Sequence, residues 1–185
     1  MKQTTKKIVL SAAVAALYAV LSYFGNIFGL TYGPVQVRLS EALCVLPFLM
    51  PETAPGLFVG CLLANLLSPY GVPDVVFGSL ATLLAAVATA KVKSRYLAPL
   101  PPVVANGVII GALISWYEVG FGAGFWRLFA VNGAWVALGE AVACYVLGGL
   151  LLRFLPRSPF FRRMISAEKL EFLDRTDPKN RKKPS

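Results

Sequence analysis

The chain has 185 residues, of which 57% are hydrophobic and only 15% charged, with 18 Lys and Arg against 9 Asp and Glu. A soluble domain carries about a quarter charged residues, so this composition excludes one and points to a polytopic helical membrane protein. The apolar runs are continuous rather than alternating, which disfavours a transmembrane barrel. Histidine is absent, removing the commonest general base and metal ligand, and the three cysteines stand apart inside apolar runs.

The first seven residues are short and basic. Residues 8–24 read as the first span, with small residues in two rows, Ser11–Ala15–Ala19 and Ala12–Ala16. Such rows let helices approach closely in lipid, either within the chain or against a partner subunit. No small-residue cleavage site follows, so this is expected to be a retained helix rather than a signal peptide. Residues 25–40 read as an apolar, glycine-rich loop, expected to be a lid or a segment tucked onto the bundle. Ser40 is expected to cap the next helix, with Arg38 and Glu41 at its mouth, as an ion pair or as ligand contacts.

Residues 41–50 and 54–67 are two short apolar segments separated by Pro51-Glu52-Thr53. Charge decides whether they are one broken span or two. With two, the chain crosses six times, both termini are cytoplasmic, and 16 of the 18 Lys and Arg lie inside, all but Arg38 and Arg127. Residues 68–73 read as a turn. Asp74 opens the fourth span (75–90), as an N-cap or as a site residue, and Ser79 and Thr82 are expected to bond back along their own helix. Asn65 sits at the outer end of the third span. The fifth span, 103–116, carries Asn106 nearer the cytoplasmic side and ends in Trp116 and Tyr117 at the outer interface. After a glycine-rich outer loop, the sixth span runs to Leu155.

The sixth span holds one charge between Arg127 and Arg153: Glu140, thirteen residues from either. A carboxylate near the bilayer midplane costs about 2–3 kcal/mol or more unless something satisfies it. Asn132, Trp135, Val136, Gly139 and Glu140 share one helical face. That face reads as a ligand-facing stripe; the alternative is a protonated carboxyl bonded to a neighbouring helix. Residues 1–155 are thus expected to form a six-helix substrate-binding domain. Residues 156–185 are expected to form a basic cytoplasmic tail with a short surface helix near Leu170–Leu173 and disorder from Arg175 on, attracted to an anionic inner leaflet.

The sequence lacks a P-loop, HExxH, GxSxG and a dinucleotide fingerprint, so no ATPase or familiar hydrolase is encoded, no cofactor or metal is expected, and nucleic acid is excluded as a partner. An intramembrane enzyme using Glu140 or Glu41 is disfavoured by the lack of histidine and of closely spaced paired carboxylates. What remains is a polar set on the outer half of the bundle: Arg38, Glu41, Asn65, Asp74, Trp116, Glu118, Asn132, Trp135 and, deepest, Glu140. Tryptophans stack on planar rings, and a carboxylate accepts two parallel N–H bonds from an amidine-like edge. A small, flat, polar ligand arriving from outside fits this set.

VQVRLSEALCVLPFL (35–49), GLFVGCLLANLLSPYG (56–71), DVVFGSLATLLAA (74–86) and ALGEAVACYVLGG (137–149) resemble the QueT family, the membrane substrate-binding S-components of energy-coupling factor (ECF) transporters. The resemblance covers residues 7–155. It implies an S-component-like bundle and tight binding of a vitamin-like substrate under the first loop. It also implies assembly with a transmembrane coupling protein and two cytoplasmic ATPases, and toppling in the membrane to deliver the load. The substrate implied is a queuosine precursor, a 7-deazaguanine base. Ala12 and Ala16 match the AxxxA face that meets the coupling protein in such subunits. Glu140, Asn132, Glu41 and Arg38 are assigned from position, because pockets diverge within the fold. The alternatives are another vitamin or purine-like base, or a stand-alone secondary transporter with Glu140 as proton relay.

Overall fold

The computed structural model describes residues 3–29 and 38–176. Helix α1 (Gln3–Ile27) is followed, after the gap, by a ten-residue 3₁₀ segment (Leu39–Phe48), a 3₁₀ turn (Pro51–Thr53) and α2 (Ala54–Asn65). A π-helical turn (Asp74–Gly78) leads into α3 (Ser79–Lys91); α4 (Leu100–Val119) and α5 (Phe125–Ala141) follow. The last long helix continues through a second π segment (Val142–Gly148) into α6 (Gly149–Phe154). The short α7 (Pro159–Arg162) and α8 (Ala167–Thr176) close the described chain. Among the described residues there is no strand.

Among the described residues, four stretches are long and apolar enough to cross a membrane: Gln3–Ile27, Asp74–Lys91, Leu100–Val119 and Phe125–Arg157. The 3₁₀ segment and α2 are shorter, and burial explains the first of these. Every residue from Ser40 to Met50 is buried, so lipid never meets this backbone and its length is free of the bilayer's demand. The segment is the hub of the core and packs against α1, α2, α3 and the lower half of the last helix. Leu43, Val45, Leu46, Phe48 and Leu49 form one cluster with Tyr18, Leu57, Cys61 and Cys144.

Helices α1 and α2 run parallel, because Ser11 meets Gly56, Ala15 meets Gly60, and Tyr23 Oη donates to the Leu63 carbonyl at 2.8 Å. Parallel neighbours require an intervening segment that returns the chain, and the 3₁₀ segment is that return. The approach of α1 and α2 is so close that a Cβ on Gly56 would sit 2.1 Å from the Ser11 carbonyl oxygen, and one on Gly60 2.8 Å from that of Ala15. The Ser11–Ala15–Ala19 row of the sequence thus packs inside the chain, while Ala12 and Ala16 are exposed. Antiparallel α4 and α5 interlock in the same way, Gly111 against Gly133.

Gln3, Lys6 and Lys7 surround one cavity with Pro51, Glu52 and residues 163–167. Arg95 and Tyr96 share another with Arg153, Arg157, Arg162 and α8. The N-terminal turn, the 51–53 turn, the 91–99 loop and the C-terminal segment therefore gather at one basic end of the bundle. Helix α8 extends further than the short surface helix expected near Leu170–Leu173 and includes Arg175, where disorder was expected. Its apolar residues Leu170, Phe172 and Leu173 pack on the core, which is what orders it. Phe172 lies edge-on to Phe48, and Lys169 Nζ sits 3.8 Å over the Phe48 ring. Residues 177–185 of the expected tail, and 30–37 of the expected lid, lie outside the described residues.

Two expected caps are corrected. Ser40 lies inside the 3₁₀ segment, whose N-cap is Arg38, and its hydroxyl accepts from Ser22 at 2.8 Å. Asp74 is not an N-cap; the cap position is Pro73, and the Asp74 carboxylate faces Arg38 and Ser68 instead. Ser79 and Thr82 do bond back, to the carbonyls of Val75 and Gly78 at 2.6 and 3.2 Å.

Candidate functional site

The 3₁₀ segment and its N-cap, the first π turn, α2, α4 and α5 bring six polar side chains into the interior. Arg38 and Glu41 come from the start of the 3₁₀ segment, Asp74 from the first π turn, and Glu140 from the last turn of α5, two residues before the second π segment. Asn65 comes from the end of α2, and Asn106 from α4. All are at least nine-tenths buried, Asp74 at 0% and Glu41 at 1% exposure. Irregular helical windings recur at functional sites because they re-aim side chains that a uniform α-helix would direct elsewhere.

Around Glu41, Tyr18 Oη donates to Oε1 and Cys44 Sγ donates to Oε2 at 2.9 Å. The 3.0-residue turn explains Cys44, since residues three apart stack in a 3₁₀ helix. The Cys144 thiol donates to the Glu41 carbonyl at 3.3 Å. Across from Glu41, Glu140 accepts from the Asn106 amide, and the two carboxyl groups border the same small cavity. Arg38, Glu41, Asn106, Ile110, Val136 and Glu140 surround a cavity of about 10 Å³, roughly the volume one water needs.

A second arm runs to Asp74. Arg38 Nη2 stands 3.8 Å from Asp74 Oδ2, which also accepts from Ser68 Oγ at 2.5 Å. Asn65 donates to the Asp74 carbonyl at 3.0 Å and so ties α2 to the π turn. Asp74 Oδ1 has no hydrogen-bond partner among the described residues and faces Gly78, where a Cβ would come within 2.8 Å of it. Chemically the whole is an enclosed acceptor-rich cluster, three carboxylates on one guanidinium, suited to a ligand that brings N–H donors.

Of the residues singled out in the sequence, Arg38, Glu41, Asn65, Asp74 and Glu140 converge. Asn132, Trp135 and Trp116 do not. Asn132 bonds Ser115 Oγ at 3.0 Å and Glu118 Oε2 at 3.2 Å, two turns from Glu140. Trp116 and Trp135 are 42% and 46% exposed, and neither lines the cavity. On the same edge of α4, Tyr117 Oη donates to the Tyr70 carbonyl, and partial burial, then Asp74 and Glu118, raises the Tyr70 phenol above its usual pKa. The stripe on α5 is therefore split. Val136, Gly139 and Glu140 face inward, and the upper polar residues serve the α4–α5 seam. Sequence reading missed Tyr18 and underweighted Asn106. An asparagine inside an apolar span was the available signal for the second, and Tyr18 carried none.

A protein-family model described as QueT transporter matches residues 8–157. The chain belongs to the QueT transporter family. This QueT-family chain is a multi-pass protein of the cell membrane, and its family is one of transporters rather than enzymes. It is similar to the queuosine precursor transporter QueT of Lactococcus lactis subsp. cremoris (strain MG1363), with 39% identity over 83 residues. That alignment covers 45% of the QueT-family chain and 48% of the relative, so it spans about half of each. No solved structure matches the chain.

Proposed function

We propose that this protein captures a queuosine precursor, a 7-deazaguanine base, from outside the cell and holds it between Glu41, Glu140 and Arg38. The observation that carries this reading is the enclosed cluster of carboxylates around a single guanidinium, inside a member of a transporter family. The name of the Lactococcus relative supports the substrate class. The N1–H and 2-amino group of such a base would donate to one carboxylate, and Arg38 would donate to its carbonyl oxygen. The cavity has to widen from about 10 Å³ to admit a bicyclic ring, so α4 and α5, which supply its apolar walls Ile110 and Val136, part on binding.

The return of the chain between parallel α1 and α2, with the basic stretches gathered at one end, supports six crossings with both termini cytoplasmic. An S-component role implies a coupling protein and two ATPases as partners. The outward Ala12–Ala16 face of α1 is the proposed contact with the coupling protein.

The test is equilibrium binding to the purified chain, using 7-deazaguanine bases, guanine, thiamine, riboflavin and biotin. Selective binding of a deazaguanine, weakened in Glu140→Gln by roughly 1.5–3 kcal/mol, is expected for a charge-assisted hydrogen bond. Unchanged affinity in that variant removes Glu140 from the site. Uptake by proteoliposomes containing this chain alone would replace the S-component reading with a self-sufficient transporter.

A further inference from the structure

A cavity much larger than the one in the buried cluster lies elsewhere. It is an open groove of about 640 Å³ at the basic end, between the 91–99 loop, the last long helix and α8. Four arginines line it: Arg95, Arg153, Arg157 and Arg162. Its one acidic residue, Asp174, is paired with Arg162 at 3.1 Å. Arg95, Arg153 and Arg157 have no carboxylate within 4 Å among the described residues. Arg95 instead donates to Tyr96 Oη at 2.9 Å, and Arg157 lies over the Phe154 ring.

Half of the groove has the opposite character. Val146, Leu150, Arg153 and Arg157 follow one another at four-, three- and four-residue steps, so they form one stripe down the last helix. The upper part of that stripe is apolar and open, with Val146 at 56% and Leu150 at 48% exposure beside Tyr145. The lower part is cationic. A membrane-embedded stripe that passes from hydrocarbon-facing valine and leucine to a nest of guanidinium groups matches one class of molecule in both halves, an amphiphile with a phosphate head. We infer that this groove is a binding site for an anionic phospholipid. The acyl chains lie along Tyr145, Val146 and Leu150, and the headgroup phosphate sits among Arg95, Arg153 and Arg157. Arginine suits the head because its planar fork pairs two N–H groups with two phosphate oxygens. Helix α8 forms the far wall through Leu170, Leu173 and Asp174, so the lipid also fastens α8 to the bundle.

The experiment uses full-length protein stripped of lipid in a neutral detergent, with bound molecules read by native mass spectrometry. The probes are dioctanoyl phosphatidylglycerol, dioctanoyl phosphatidylcholine and glycerol 3-phosphate. The expected result is retention of phosphatidylglycerol over phosphatidylcholine. Retention should fall about thirtyfold in Arg153→Gln/Arg157→Gln, since each of the two basic residues near the surface contributes on the order of 1 kcal/mol. Lys91→Gln/Lys93→Gln removes equal charge outside the groove and should leave retention unchanged. Binding of the deazaguanine to each variant reports that the bundle is folded; failing that, an unchanged melting temperature does so. Equal retention of the two lipids, or equal losses in both double variants, overturns the site. Equally tight binding of glycerol 3-phosphate makes the ligand a soluble phosphate rather than a lipid. Unchanged lipid retention with loss of a co-purifying protein makes the groove a protein interface.

Discussion

The buried cluster and the basic groove use the same residue types under opposite conditions. In the cluster, Glu41, Asp74 and Glu140 face one arginine, and none of the four exceeds 8% exposure. Each carboxylate there is answered from within the chain: by Tyr18 and Cys44, by Ser68 and Arg38, or by Asn106. In the groove, four arginines outnumber one carboxylate among the described residues, and three of them have no described carboxylate within 4 Å. Charge taken out of water has to be compensated by the fold itself, while charge left at an interface remains available to something outside. The first arrangement is closed over by the bundle, and the second is open to its surroundings.

Substitutions should separate the two accordingly. The largest effect is expected for Asp74→Ala, which strips the carboxylate from a buried guanidinium and should cost about 3–5 kcal/mol, read as a large fall in melting temperature in detergent. A loss below 1 kcal/mol would mean that Arg38 does not depend on Asp74. Tyr18→Phe removes one donor from Glu41 and leaves an enclosed carboxylate oxygen short, so a loss of about 1–3 kcal/mol is expected. Gly60→Val drives a side chain into the α1 backbone at Ala15 and against the Cβ of Tyr18, and should destabilise by a similar amount, about 1–3 kcal/mol, read as a fall in melting temperature. Smaller still is Lys169→Ala, which removes the cation over Phe48 and should cost about 0.5–1 kcal/mol, visible as faster hydrogen exchange in α8. Ala16→Leu, on the outward face of α1, should leave stability and ligand binding intact and abolish uptake; normal uptake would withdraw that face from assembly.

Much of this was legible in the sequence, for identifiable reasons. The apolar runs located the long helices because hydrocarbon demands continuous length. Glu140 stood out because a lone carboxylate in such a run needs a partner. The helical stripe through Asn132 and Trp135 misled because periodicity says which residues share a face, but that face spans two environments along its length. Near Glu140 it meets the 3₁₀ segment and α4; two turns higher it meets only the α4–α5 seam. The windings of residues 39–48, 74–78 and 142–148 were also beyond reach, since nothing local distinguishes LSEALCVLPF as 3₁₀ from an ordinary helix. Its tight coil follows from burial on every side.

That coil has a mechanical consequence. A 3₁₀ helix advances about 2.0 Å per residue and an α-helix 1.5 Å, so the ten residues from Leu39 to Phe48 reach roughly 20 Å where an α-helix would reach about 15. The segment is a stretched rod, with Glu41 near one tip and Phe48, held by Phe172 and Lys169, at the other. Relaxing its pitch to that of an α-helix would draw the two tips together by about 5 Å, and because helices pack on every side of it, such a change would have to be shared by its neighbours.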